Sequence, residues 1–194
     1  MWARAATAAL LSALLWVVGC ADVGTGSTAA AGGAGPAPAK PAHLWLRSME
    51  AKRIALEKGA EGSGIAVLRT DDNQLQVNVP SEFSFDPERS EIKAGMRPVL
   101  DQFAAELEEQ PLSHLLIRIV GYTDSVGDEA VNDALSLARA VSVGKYLESK
   151  GIRANRIEVE GRGERNPMVG NDKPYGRALN RRVEIYLRDP GTKS

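Results

Sequence analysis

The amino-acid sequence predicts an α/β fold: a two-layer sandwich in which a mixed β-sheet carries its helices on one face. Three observations lead there. Leu75, Val77 and Val79 alternate with Gln76 and Asn78, and Ile157 and Val159 alternate with charged residues, the period of two that marks half-buried strands. Among the strand-like segments lie two stretches with apolar residues at helical spacing, about 94–109 and 129–150. The resulting order β, β, α, β, α, β, β contains crossover helices long enough to join parallel strands. A composition of 43% hydrophobic and 25% charged residues suits an ordinary globular core.

At the N-terminus, residues 1–19 begin with a minimal positive region, Arg4, followed by an almost wholly apolar run from Ala5 to Val18. This is the layout of a secretory signal peptide. Its end, Val17-Val18-Gly19-Cys20, resembles the lipobox of bacterial lipoproteins, which implies cleavage before Cys20 and acylation of the Cys20 sulfur. The alternatives are an ordinary signal peptide that contains a cysteine and a short membrane anchor; the apolar run falls short of the ~20 residues a spanning helix needs. Cys20 is the only cysteine, so its lipidation leaves no thiol for a disulfide, a nucleophile or a thiolate metal site. The lipoprotein resemblance implies three acyl chains, a firm hold on the lipid bilayer where one chain is marginal. Ala21, not Asp, follows the cysteine, and Asp22 stands one place too late for an inner-membrane retention signal. The expected location is the periplasmic face of the cell outer membrane.

Residues 20–42 comprise the expected lipidated cysteine and a tether built almost entirely of Ala, Gly, Thr, Ser and Pro. Such a segment buries too little apolar surface to offset its ordering entropy, and as a flexible coil it averages roughly 25 Å end to end. His43 to Gly59, within a helical linker spanning 43–62, places Leu44, Leu46, Met49, Ile54 and Leu56 among basic and acidic residues, with Gly59 suited to its end. The globular domain is expected over 63–188, with a short tail at 189–194.

Within the domain, Ile65-Ala66-Val67-Leu68 and Leu75 to Val79 form a hairpin around the turn residues Thr70-Asp71-Asp72-Asn73. A helix over about 94–109 buries Met96, Leu100, Phe103, Ala104 and Leu107, and Pro98 places its first turn late. Leu115 to Val120 is a strand ending at Gly121-Tyr122-Thr123-Asp124. The next helix starts beyond Asp128, where Asp128 and Glu129 suit its positive end, and stops at Gly151. Arg156 to Glu160 is a strand, a Gly-rich loop follows, and Val183 to Leu187 is the last strand.

Several function classes are excluded. A net charge of −1 leaves no basic excess for nucleic acid. The two histidines, His43 and His114, are far apart and outside any zinc-binding spacing. Gly161-x-Gly163 is followed by Asn166-Pro167 and no third glycine opening a helix, which argues against a dinucleotide site. Asp124 and Glu129 could suggest paired glycosidase carboxylates, but a neighbouring Arg139 would keep Asp124 ionised. No enzyme activity and no cofactor are expected.

The motifs that carry function are Gly121-Tyr122-Thr123-Asp124-Ser125-Val126-Gly127, Asn132 with Leu135-Ser136-Leu137-Ala138-Arg139-Ala140, Gly161-Arg162-Gly163-Glu164 with Pro167, and Gly176-Arg177-Ala178-Leu179-Asn180-Arg181-Arg182-Val183-Glu184-Ile185. Together, and in this order, they resemble the OmpA-like C-terminal domain shared by OmpA, the peptidoglycan-associated lipoprotein Pal and the stator protein MotB, over about residues 67–188. Asn132 and Arg139 lie two helical turns apart on one face with Leu135 between them. A carboxylate at Asp124 and a guanidinium at Arg139 beside one crevice can clamp a zwitterion, the ammonium on Asp124 and the carboxylate on the planar fork of Arg139. The resemblance implies that this zwitterion is the side-chain end of diaminopimelate in peptidoglycan stem peptides, and that the domain does no chemistry. Lysine would leave Arg139 unpaired, at about 1.5–3 kcal/mol for the lost charge-assisted bond. The bland alternative is a structural salt bridge between Asp124 and Arg139. Thr123 and Asn132 offer polar groups beside the clamp, and Asp86 and Glu88 match the family's groove more loosely. Arg182 is a further candidate, with Arg181 its unresolved alternative. The expectation is an outer-membrane lipoprotein that binds peptidoglycan and ties the membrane to the wall. Its rival is a protein-interaction module docking envelope partners in a secretion, motility or Tol-type assembly.

Overall fold

Strand alternation produces one sheet with two unlike faces. The computed structural model describes residues 42–190 apart from 73, 110 and 111, so Cys20, the apolar segment before it and the tether up to residue 41 lie outside the described residues. Five strands, β1 (Ala66–Arg69), β2 (Leu75–Pro80), β3 (Leu116–Tyr122), β4 (Ile157–Gly161) and β5 (Arg182–Arg188), form a single sheet in the order β1-β2-β5-β3-β4. The β3–β4 pair is parallel and the others are antiparallel, making the sheet mixed. Register aligns Val77, Ile185, Ile119 and Val159 across the sheet on the core face. The same register aligns Gln76, Tyr186, Arg118 and Glu158 on the other face. There Tyr186 donates its hydroxyl to Glu184 at 2.6 Å; burial first, and then Glu184, push the Tyr186 pKa well above the usual phenol range.

The helices are α1 (Ala42–Gly59), the one-turn α2 (Ser81–Ser84), α3 (Arg97–Glu108), α4 (Glu129–Ser149) and α5 (Pro174–Asn180). The α3 helix buries Leu100, Phe103, Ala104 and Leu107, and Pro98 sits in its first turn, where a missing N–H breaks no helical bond. Within α4, Ala140, Val143 and Leu147 reach the core, and α4 makes the crossover between the parallel strands β3 and β4. From α1, Met49 and Leu56 join the same hydrophobic cluster, and Lys52 pairs with Glu106 and, at 2.6 Å, with Glu109 at the end of α3. The Gly-rich stretch expected as a loop between β4 and β5 contains α5. Its start is marked by Pro174, and Asn180 at its end folds the loop back by accepting from Met168 N at 2.8 Å and donating to Val169 O at 2.8 Å.

Candidate functional site

The site forms where α4 lies closest to the sheet. Gly121 and Gly161 are register partners on β3 and β4. A Cβ on Gly121 would stand 2.1 Å from the Ser136 carbonyl oxygen, and one on Gly161 would stand 2.5 Å from the Leu137 amide nitrogen. Only glycine lets the helix backbone rest on the strands this way, since the obstructing atoms are themselves backbone. Asp128 caps α4, accepting from Ala130 N at 2.9 Å and Val131 N at 3.3 Å. Ser136 Oγ accepts from Gly163 N at 2.9 Å and so ties α4 to the loop after β4.

Asp124 stands just beyond the end of β3 and is 8% exposed. One oxygen accepts from Val126 N at 3.0 Å, and the other meets Arg181 Nη1 at 2.7 Å. The second amino group of Arg181 pairs with Glu82 on α2. Arg139 on α4 is 4% exposed. Its Nε donates to the Arg89 carbonyl at 3.0 Å, and its guanidinium lies over the Phe85 ring, 5.2 Å from the centroid. Among the described residues no carboxylate comes within 4.0 Å of it, and neither terminal nitrogen has a hydrogen-bond partner. Burial lowers the Arg139 pKa, repulsion from Arg181 lowers it further, and attraction to Asp124 acts the other way. For Arg181 burial also opposes the charge, but hydrogen bonds to Asp124 and Glu82 outweigh it and raise the pKa.

The remaining expected residues separate into those at the crevice and those elsewhere. Asn132 braces the loop: its Nδ2 donates to Asp124 O at 3.3 Å, Val126 O at 3.2 Å and Glu164 Oε2 at 3.2 Å. The Thr123 amide donates to Gly163 O at 2.8 Å, while its buried hydroxyl has no partner among the described residues. Leu135 is half-buried on α4. Asp86 is exposed and 3.6 Å from Lys93, and Glu88 is exposed with a φ of 57°. Arg182 is not in the crevice. Opposite Tyr122 in the β3–β5 register, it stacks 3.8 Å from that ring's centroid and bonds Glu184 at 2.9 Å, Asn180 O at 3.2 Å and Asn166 O at 3.2 Å. The arginine that reaches Asp124 is Arg181. The direct salt bridge between Asp124 and Arg139, the alternative to the clamp, is absent among the described residues, where Arg181 holds one Asp124 oxygen.

Sequence reasoning left Arg181 undecided and did not single out Glu82. A signal for Arg181 existed. Val183, Ile185 and Leu187 point into the core, so residue 181 continues their parity toward the helices while 182 shares the opposite face with Glu184 and Tyr186. Nothing local marks Glu82, whose role depends on α2 packing beside the end of β5.

A mixed five-stranded sheet with helices on its core face, and a polar crevice at the rim between α2, α4 and the end of β3, defines an OmpA-like domain. The chain belongs to the OmpA family: the family model matches residues 84–181. It is 36% identical over 139 residues to "Probable lipoprotein YiaD" of Escherichia coli strain K12, covering 72% of this chain and 62% of that protein. It is 41% identical over 89 residues to "Peptidoglycan-binding protein ArfA" of Mycobacterium tuberculosis, covering 46% of this chain and 27% of that one. The chain therefore spans about three-fifths of the first relative and about a quarter of the second. Among solved structures, a MotB-like protein from Desulfovibrio vulgaris superposes with a TM-score of 0.68 at 29% identity, covering 76% of this chain and 95% of that one.

Proposed function

We propose that this chain is an outer-membrane lipoprotein whose OmpA-like domain binds peptidoglycan noncovalently and tethers the membrane to the wall. The observation that carries the reading is Arg139, a buried guanidinium that among the described residues has one backbone carbonyl and one aromatic face for company and no hydrogen-bond partner on either terminal nitrogen. A charge withdrawn from water without a counter-ion is unfavourable, and a ligand carboxylate bound to the planar fork would relieve it. Asp124 beside it accepts the ligand's ammonium. An amine and a carboxylate on one carbon, as at the side-chain end of diaminopimelate, match that pair, and a lysine side chain supplies only the amine. Thr123 contributes its buried hydroxyl, which has no partner among the described residues. Asn132 acts indirectly by holding the Asp124–Val126 turn. The relative named for peptidoglycan binding supports the same reading. The lipid anchor at Cys20 rests on the lipobox-like sequence and on the similarity to a protein named as a lipoprotein. No helix among the described residues is long and apolar enough to cross a membrane.

Titration calorimetry with stem-peptide fragments carrying diaminopimelate or lysine tests the clamp. The diaminopimelate fragment binds at least tenfold more tightly, the equivalent of one charge-assisted hydrogen bond. Arg139→Met loses that binding, and Arg139→Lys recovers little because the fork is gone. Equal affinity for the two fragments refutes the clamp, and failure of the purified protein to sediment with sacculi would favour docking to an envelope protein. Mass spectrometry of the mature N-terminus tests the anchor; an unmodified Cys20 rules it out.

A further inference from the structure

The ammonium half of the clamp already has an occupant. Arg181 Nη1 sits on Asp124 at 2.7 Å, where the ligand's ammonium belongs, and its other amino group rests on Glu82. We propose that Arg181 is an internal competitor for the ligand's ammonium and that Glu82 is the positioning residue that receives Arg181 when the ligand displaces it. The inference rests on the clamp reading above and deepens it by identifying what sets the site's preference for an amine.

The geometry supports exchange and not a fixed bridge. Asp124 is nearly enclosed, with a side chain 12% exposed, whereas the Glu82 side chain is 64% exposed and can follow a moving partner. The Arg181 guanidinium already spans both carboxylates, so transfer needs one nitrogen to release Asp124 while the other keeps its hold. Arg139 and Arg181 repel each other across the crevice. That repulsion is compensated in the free protein by Asp124 and Glu82, and it grows if an ammonium is added while Arg181 stays in place. Moving Arg181 toward Glu82 makes room for the new cation and keeps each positive charge beside a negative one. Arg181 is placed by the backbone: its carbonyl accepts from Ser81 N at 2.9 Å, which fixes the start of α2, and with it Glu82, beside Arg181.

The consequence is an amine selectivity set by two residues acting in opposite senses. A ligand lacking the amine leaves Arg181 on Asp124 and uses Arg139 alone, so its affinity does not depend on the exchange. The test compares the diaminopimelate fragment with its deaminated counterpart, which keeps the carboxylate, in the purified protein by calorimetry. Glu82→Gln removes the receiving carboxylate and lowers the amine preference about threefold, in the range expected of an exposed ion pair. Arg181→Met removes the competitor and raises the preference about tenfold, the scale of one charge-assisted hydrogen bond. In the Arg181→Met background, Glu82→Gln changes nothing, because no arginine remains to be received. If Glu82→Gln lowers the preference equally in both backgrounds, Glu82 acts through its field alone and the exchange is overturned. If Arg181→Met fails to fold, Glu82→Gln still decides: an unchanged preference overturns the proposal. Arg139→Met is the control on the clamp itself. Its loss of binding to both fragments, with no effect of Glu82→Gln on the preference, refutes the exchange while leaving the clamp standing.

Discussion

Arg156 and Arg139 are equally buried, each 4% exposed, and they are used in opposite ways. Arg156, in the turn before β4, donates to three backbone carbonyls: Leu115 at 3.0 Å, Leu112 at 3.0 Å and Leu107 at 3.3 Å. Its Nη1 also pairs with Glu108 at 3.2 Å. Those carbonyls belong to the end of α3 and the turn before β3, so the guanidinium ties that corner together. Burial lowers its pKa, and Glu108 partly offsets the effect. Arg139 is packed against Phe85 and, among the described residues, has a single carbonyl partner. Burial alone therefore does not mark a functional arginine. What distinguishes the two is the number of donors left over among the described residues: Arg156 fills a network of carbonyls and a carboxylate, while Arg139 uses its Nε alone.

The comparison can be broken by substitution, and the largest effect is expected at the structural corner. Arg156→Met leaves buried carbonyls without donors and is expected to cost about 3 kcal/mol or more, read from urea denaturation. A loss below about 1 kcal/mol would show that the corner holds without it. Next comes Gly121→Ala, whose new Cβ meets the Ser136 carbonyl. Lifting α4 from the sheet should cost about 1–3 kcal/mol, and because Arg139 rides on α4 it should weaken fragment binding as well. Unchanged binding with lowered stability would show that the clamp tolerates movement of its helix. Asp128→Ala removes the α4 cap and should cost about 1 kcal/mol in thermal denaturation, with fragment affinity nearly unchanged. The smallest stability effect is expected at Arg139 itself. Arg139→Met removes a buried charge with no carboxylate within 4.0 Å among the described residues, so the protein should be within about 0.5 kcal/mol of the wild type or more stable, while binding is lost. A stability loss comparable to that of Arg156→Met, with binding intact, would make Arg139 a structural residue too.

Much of the architecture was legible along the chain because its signals are local. Alternating Leu75, Val77 and Val79 marked β2, Asp128 marked the start of α4, and Pro98 correctly delayed α3 to Arg97. The segment holding α5 was read as loop because seven residues containing Gly176 carry a weak helical signal. Its order comes from Asn180 and the close approach of Gly176 to the Gly170 carbonyl, a contact across the segment that no propensity encodes.

For the site, sequence alone determined which residue types were available and that Asp124, Asn132 and Arg139 occupy the strand end and one helix face. Those placements follow from periodicities of two and 3.6, which act over a few residues. Only the tertiary structure decided the pairing. Asp124 takes Arg181, the terminal nitrogens of Arg139 meet no hydrogen-bond partner among the described residues, and Arg182 turns to the far face with Tyr122 and Glu184. These choices depend on how β5 registers between β2 and β3, and on two glycines that let α4 settle onto the strands. A charge finds its partner through space, and the separation along the chain between Asp124 and Arg181 carries no local trace of their meeting.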